Sequence, residues 1–415
     1  MKKLIKIALW KRILAAVILG LILGFAWPEG GEAVSILGDI FIALMKMLLI
    51  PFVFFSLVAG VCSLGDISLM RTIGLRYVLW IVCTTLFAAA LSVGLCMIFN
   101  PGAGVDIGAS VGSGEELAVS YSFAETLLSW IPSSIVGSMA DNQLLPVILF
   151  AILLGCCILA VANKAQIVIQ FTNQCMEVFT KMTNWIVQLC PIGIFGLVAP
   201  MVPKFTGTMI ANLGKFLLID FIGCGLLLIV VYPLLLMILQ KINPLNYYKK
   251  NISVLVMAAA TGSSAATLPL EMQVSQEQLG IDERVYSFTL PLGNTCNMNA
   301  AAVAQACVAV FALNIYGFQV TPLLVFQIVI MACLMAVGTV GINGAQIVIS
   351  TVMLTSLGLP LDLVALLSPL WAVVDPVNTA TNCMGNMVGT GIVAKSLKMM
   401  DEDILTGKKK FVAEK

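Results

Sequence analysis

The chain has 415 residues, of which 60% are hydrophobic and 10% charged; soluble domains average about 45–50% apolar and about 25% charged. With a mean hydropathy of +1.04, the chain reads as a polytopic membrane protein, which excludes most soluble enzyme classes. Lys plus Arg number 22 against 21 Asp plus Glu, so no basic excess exists to neutralise a phosphate backbone and nucleic acid is not an expected partner. No His is present, which removes His acid–base catalysis, a Ser-His-Asp triad, His-ligated zinc and a His proton relay together.

The N-terminal cluster Lys2, Lys3, Lys6, Lys11 and Arg12 precedes an apolar run. Another long apolar segment follows at once, so this run reads as a retained first transmembrane helix, basic end in the cytoplasm, and not as a cleaved signal peptide. A spanning helix takes about 20 mostly apolar residues. Such stretches run over 8–27, 34–62, 74–99, 120–162, 166–199, 212–240, 284–316 and 361–398, with 120–162 long enough to predict a break. Two stretches are irregular. Residues 250–275 are too polar and Ser/Ala-rich for an ordinary span, and 321–358 are interrupted by Gly338, Gly341, Asn343 and Gly344.

Lys241, Lys249 and Lys250 in one loop and Lys408–Lys410 near the C-terminus match the N-terminal cluster, so all three, and both termini, are expected on the cytoplasmic side. The loop near 100–119 carries Asp106, Glu115 and Glu116 without Lys or Arg, which suits the outside. The expected fold class is therefore all-α: a polytopic membrane protein of eight transmembrane helices plus two re-entrant helical hairpins, 250–275 and 321–358. Irregular backbone at membrane depth is tolerated only where protein or a water-filled cavity satisfies it, and paired interrupted segments point to a transport site. The other reading of 321–358 is a kinked ordinary helix. Residues 402–415 read as a solvated cytoplasmic tail. The 12 Cys lie scattered in apolar runs with no CxxC pair and read as packing residues.

Three polar constellations carry chemistry. In 371–391, Asp375, Asn378, Thr379, Asn382 and Asn386 follow the spacing of one helical face. Asn and Thr alone could form a helix–helix seam; with an intramembrane carboxylate at its head, the row reads as a ligand-facing stripe. Asp375 stands alone in its motif, with no second intramembrane Asp nearby, which disfavours an intramembrane enzyme. The knot Asn294, Thr295, Asn297 and Asn299 offers hard oxygen ligands suited to Na⁺ or a polar solute, the alternative being a helix break satisfied by its own side chains. In 261–269, the Ser263-Ser264 tip could cradle an α-carboxylate at a half-helix end; packed membrane helices are also Ser/Ala-rich.

The segments MKMLLIPFVFFSLVAGV (45–61), NPGAGV (100–105), NQLLPVILFAILLG (142–155), PIGIFG (191–196), TGSSAATLP (261–269), YSFTLPLGNTCNMN (286–299), VGTVGINGA (337–345) and NMVGTGIVAK (386–395) occur in one order over nearly the whole chain. On these the chain resembles the dicarboxylate/amino acid:cation symporters, the glutamate-transporter-like family. The resemblance implies a homotrimer with an elevator mechanism. Scaffold and trimerisation helices would lie over 1–73 and 120–215, transport-domain helices over 74–119 and 216–400, and 250–275 and 321–358 would be the hairpins. It also implies that Asp375 holds a substrate amino group, that Asn382 and Ser263-Ser264 hold the α-carboxylate, and that Thr339 and Gly341 belong to a gating hairpin, with Thr379 in the binding row.

The departures from the family pattern carry the prediction. Where relatives place an Arg to grip an acidic side chain, this chain has Asn378, and where the first hairpin can carry an Arg, it has Gly262. An unpaired buried charge is costly and bidentate Arg is the usual remedy, so a neutral amino acid is expected. The two cation-site carboxylates of relatives fall at Asn299 and Asn386, which weakens Na⁺ binding. Thr84 and Thr85 stand where third-helix hydroxyls are expected, and a carbonyl-built site near Thr295, Asn297, Ala336, Val337, Thr339 and Asn382 could survive. No cofactor is expected; Na⁺ or a proton is the candidate coupling ion. The leading reading is a secondary amino-acid transporter of the cytoplasmic membrane, its partners the substrate and the lipid bilayer. The alternatives are a dicarboxylate or acidic amino-acid symporter and, from another class, an ion channel or passive pore.

Overall fold

The computed structural model describes residues 9–62, 68–105, 131–141, 143–161, 164–204, 207–337, 345–409 and 411. Among them the chain is almost wholly helical, with one isolated bridge, Ile281 to Met400. In chain order the helices are α1 (Leu9–Ala26), α2 (Pro28–Ala33), α3 (Ser35–Cys62), α4 (Ser68–Phe99), α5 (Ile135–Ala140), α6 (Leu144–Ala160), α7 (Gln166–Gln188) and α8 (Cys190–Val198). They continue with α9 (Gly207–Leu226), α10 (Tyr232–Gln240), α11 (Pro244–Thr261), α12 (Ser264–Glu277), α13 (Glu283–Cys296) and α14 (Asn299–Ile315). The last are α15 (Pro322–Val337), α16 (Ala345–Ser356), α17 (Asp362–Ser396) and α18 (Glu402–Thr406). A π-helical segment, Leu227–Val231, joins α9 to α10, and the Tyr248 hydroxyl donates to the Leu228 carbonyl inside that irregular turn.

Three helices among the described residues are long and apolar enough to cross a bilayer, 72–99, 207–240 and 283–315, and a fourth results if the bent α17 is one span. Shorter apolar helices fall within the expected spans 8–27, 34–62 and 120–162, whereas over 166–199 no helix among the described residues meets either measure. Ile98, Ile167 and Ile229 are at least 75% exposed, and apolar surface of that kind suits lipid.

Contacts divide the helices into two sets. Helices α1, α3, α6, α7 and α8 pack mainly on one another, while α4, α9 and α11–α17 form a second set around α14. All of α14 except Asn314 is buried; Ala dominates its sequence, and small side chains let neighbouring helices approach it closely.

The polar segment 250–275 is a hairpin, and its helices α11 and α12 begin and end outside that range. Gly262 adopts φ +58°, a left-handed value that a Cβ disfavours, and Ser263 caps α12 by accepting from the Ala266 N–H at 3.4 Å. The apolar segment 321–358 holds two helices, α15 and α16, that pack against each other, which is not a kinked single helix; residues 338–344 lie outside the described residues.

The tail differs from expectation. Residues 402–406 form a helix whose Ile404 and Leu405 are buried, and Asp401 N–H donates to the Gly280 carbonyl at 2.8 Å. Two apolar side chains in an otherwise charged stretch suffice to dock it against hairpin α11–α12. Lys409 meets Asp401 at 2.8 Å and holds its carboxyl below the usual range.

Candidate functional site

Helix α17 carries the stripe. It bends by 70° between Trp371 and Val373. Pro376 lacks the N–H that would bond the Ala372 carbonyl, and its ring crowds that carbonyl, which opens the turn. Asp375 follows the bend directly and is half-buried, while Asn378, Thr379, Asn382 and Asn386 are buried. The row therefore faces protein and not lipid.

At the Asp375 end, helix α9 contributes Asp220 and Cys224. The Cys224 thiol donates to Asn378 Oδ1 at 3.2 Å, and Asp220 lies beside Asn378 and within electrostatic reach of Asp375. Asp375 is thus not the lone acid that its own motif suggests: a second intramembrane carboxylate, 155 residues away in sequence, is brought to it by α9 packing on α17.

In the middle, Asn382 Oδ1 accepts from the Ala300 N–H at 2.8 Å. This satisfies one open N–H at the start of α14, so what Asn382 can offer a ligand is its amide N–H donors, the right polarity for a carboxylate. Hairpin α11–α12 approaches here: Ser264 and Thr267 lie against the Cys383 thiol. Thr267 Oγ1 donates to the Ser263 carbonyl at 3.0 Å.

At the far end the break between α13 and α14 forms a chain of amides. Asn386 Nδ2 donates to Asn294 Oδ1 at 3.0 Å, and Asn297 Nδ2 donates to Asn386 Oδ1 at 2.9 Å. Asn294 Nδ2 in turn donates to Glu271 Oε2 at 3.0 Å. Glu271 is 0% exposed, and its Oε1 and Asn297 Oδ1 have no hydrogen-bond partner. The loss of carboxylates at positions 299 and 386 is therefore not the loss of all negative charge: hairpin α11–α12 brings one from outside the expected motifs. One carboxylate oxygen and one amide oxygen left without partners along this chain offer hard ligands to a monovalent cation.

Thr84 and Thr85 do meet Asn299, donating to its Oδ1 at 3.3 and 2.8 Å, while Asn299 Nδ2 donates to the Tyr232 hydroxyl at 2.9 Å. This corner is a closed neutral network, with both polar atoms of the Asn299 amide engaged, so an amide there replaces a charge without leaving a gap.

Close packing holds the amide chain in place. A Cβ at Gly293 would stand 2.2 Å from the Tyr77 hydroxyl and 2.6 Å from Asn386 Oδ1. Gly293→Ala is accordingly expected to displace Asn386 and to cost roughly 1–3 kcal/mol of stability, as overpacked cores do. Thermal unfolding in detergent, alongside cation-dependent uptake, measures both effects.

Other expected residues stand apart. The Thr295 side chain is exposed and its hydroxyl donates to the Leu292 carbonyl at 2.9 Å, so the side chain is not in the cluster. Ala336 is buried and Val337 half-buried at the end of α15; Thr339 and Gly341 lie outside the described residues. Asp220 and Glu271 were missed because each sits singly in its segment, and the signal available was the bare presence of an acid in an apolar run. An open groove of ≈ 630 Å³ that includes Lys249, Lys250, Gln273 and Glu277 is at the base of the hairpin, away from the stripe.

Residues 9–396 match the model of the sodium:dicarboxylate symporter family. The chain belongs to that family. It is a transporter and not an enzyme, a secondary symporter of the class that carries amino acids or dicarboxylates. A proton/sodium-glutamate symport protein of Bacillus caldotenax is 28% identical over 403 residues, covering 94% of each chain. Neutral amino acid transporter B(0) of Bos taurus is 28% identical over 403 residues, 89% of this chain and 75% of the relative. The C4-dicarboxylate transport protein of Bacillus subtilis (strain 168) is 27% identical over 398 residues, 94% of each. Relatives named for three cargoes are thus equally distant, so the cargo of this symporter must be argued from its own site.

Proposed function

We propose that this symporter carries a neutral amino acid, driven by a monovalent cation held at the Glu271–Asn294–Asn386–Asn297 chain. The cargo's ammonium pairs with Asp375, and its α-carboxylate takes N–H donors from Asn382 and from the tip at Ser263-Ser264. The observation that carries the neutral cargo is the environment of position 378. It is an Asn beside the Asp220 carboxylate, and no Lys or Arg is among the buried residues described. An acidic side chain there would be a buried anion without a cation, facing another anion, at a cost of several kcal/mol.

Glu271 changes the expectation for coupling. Its charge stands on the hairpin, so a cation bound there ties the hairpin to α13 and α17. A ligand drives closure only through its differential affinity for open and closed states, and a cation bridging hairpin and helix supplies that difference. In this reading the second helix set, α4, α9 and α11–α17, moves through the first as an elevator, and the assembly is a homotrimer. Glutamate or a C4-dicarboxylate is the second reading, favoured by the names of two relatives quoted above.

Uptake of labelled amino acids into proteoliposomes, each with a Na⁺ gradient, a pH gradient or neither, tests the proposal. Saturable, gradient-driven uptake of neutral amino acids is expected, with counterflow exchange. Preference for glutamate, aspartate or succinate overturns the neutral-cargo reading, and single-channel current without exchange overturns the transporter mechanism.

A further inference from the structure

Asp220 has so far been given no cargo of its own. It lies within α9, is 0% exposed, and neither carboxylate oxygen has a hydrogen-bond partner. A buried polar group left unmet is uncommon, and a carboxylate at membrane depth is retained where it has something to hold. Its surroundings narrow what that is. Cys224, one turn along α9, donates to Asn378 Oδ1 at 3.2 Å, which engages the acceptor of that amide. Asn378 Nδ2 lies beside Asp220, but neither it nor the two carboxylate oxygens makes a hydrogen bond of normal geometry. The two side chains form an open pair, an acceptor and a donor, both buried and both unmet. The other charged group that bears on Asp220 is Asp375, so the corner is acidic.

We infer that Asp220 reads the end of the cargo's side chain by accepting a hydrogen bond from an N–H or O–H donor there, and that Asn378 Nδ2 donates back when that end is a hydroxyl or an amide. This rests on the proposed pairing of the cargo's ammonium with Asp375. With the α-carboxylate toward Asn382, seven residues further along α17, the cargo lies across Asn378 and its side chain meets the open pair. An ionised carboxylate only accepts. An acidic side chain is repelled by it, and an apolar one strips it of water and returns nothing. A hydroxyl, amide or ammonium satisfies it. The cargo class is therefore an amino acid with a donor-bearing side chain, and apolar or acidic amino acids are excluded. A site built to hydrogen-bond its ligand rejects the analogue lacking the group far more strongly than an apolar pocket discriminates by size.

Threonine and valine have nearly the same shape and differ in the donor, so they make the test. Uptake of labelled threonine, valine, lysine and glutamate is measured with the full chain in proteoliposomes, unaltered and as Asp220→Asn. Threonine is expected to exceed valine at least about tenfold, the usual weight of a hydrogen bond to a charged group, and Asp220→Asn should narrow that ratio to within about twofold. Lysine exceeding threonine supports the role of Asp220, with an ammonium as the donor, and overturns the neutral-cargo reading. Valine or glutamate equal to or better than both donor-bearing amino acids overturns it in the unaltered protein, with no variant needed. A ratio unchanged in Asp220→Asn overturns it as well. Asp375→Asn separates the two levels: if that change abolishes binding while Asp220→Asn leaves the ratio intact, only the role of Asp220 falls. Binding retained in Asp375→Asn removes the ammonium pairing on which the inference rests.

Discussion

Asp375→Asn is expected to abolish amino-acid binding, lowering affinity by about two to three orders of magnitude. The substitution keeps size and hydrogen-bonding capacity and removes only the charge. An ammonium brought out of water to that position then has no counter-charge, and breaking one partner of a buried ion pair costs about 3–5 kcal/mol, which is about 10²–10³-fold in affinity. The loss should fall on all amino acids alike, because the α-ammonium is common to them. Competition binding on purified protein, with thermal unfolding as a check that the variant is folded, measures it. Undiminished affinity would take Asp375 out of the ammonium role.

Glu271→Gln is expected to uncouple transport from the cation gradient while leaving exchange of cargo for cargo. A Gln can still accept the Asn294 N–H that Glu271 Oε2 now accepts at 3.0 Å, so the amide chain survives and only the charge is lost. At an effective dielectric of about 20, attraction between unit charges near 4 Å is roughly 4 kcal/mol. Set against the lower cost of desolvating a neutral side chain, a hundredfold weaker cation affinity is the expected scale. Concentrative uptake should collapse toward equilibration. Asn386→Asp in the Glu271→Gln background returns a carboxylate to the same hydrogen-bonded chain, and cation dependence should return with it. Unaltered gradient dependence in Glu271→Gln would exclude the hairpin carboxylate as the coupling group.

Both predictions turn on buried charge, yet the two residues were not equally visible beforehand. Asp375 heads a row of polar residues at helical spacing within one 21-residue stretch, 371–391. Periodicity alone exposes such a row, because its members lie on one face of one helix whatever that helix packs against. The break at Asn297 and the turn at Gly262 were legible for a similar local reason: clustered Asn, and small residues before a Ser cap, are unfavourable inside a helix and favourable at its ends. The same holds for the departures at positions 299, 378 and 386, each a change of residue type at a marked place.

Membrane residence, the all-helical class, the interrupted hairpin segments and the polar face of the last helix therefore followed from composition and short-range spacing. These are properties of segments and survive without neighbours. The partnership of Asp220 with Asn378, the relay from Glu271 through Asn294 to Asn386, and the quiet neutral corner at Asn299 joined residues on different helices, from one to ten helices apart in chain order. Docking of the tail against the first hairpin belongs with them. Such contacts depend on which helix faces are pressed together and on the direction in which each side chain is left pointing, and a hydrogen bond of 3 Å between distant residues leaves no period in the chain to read.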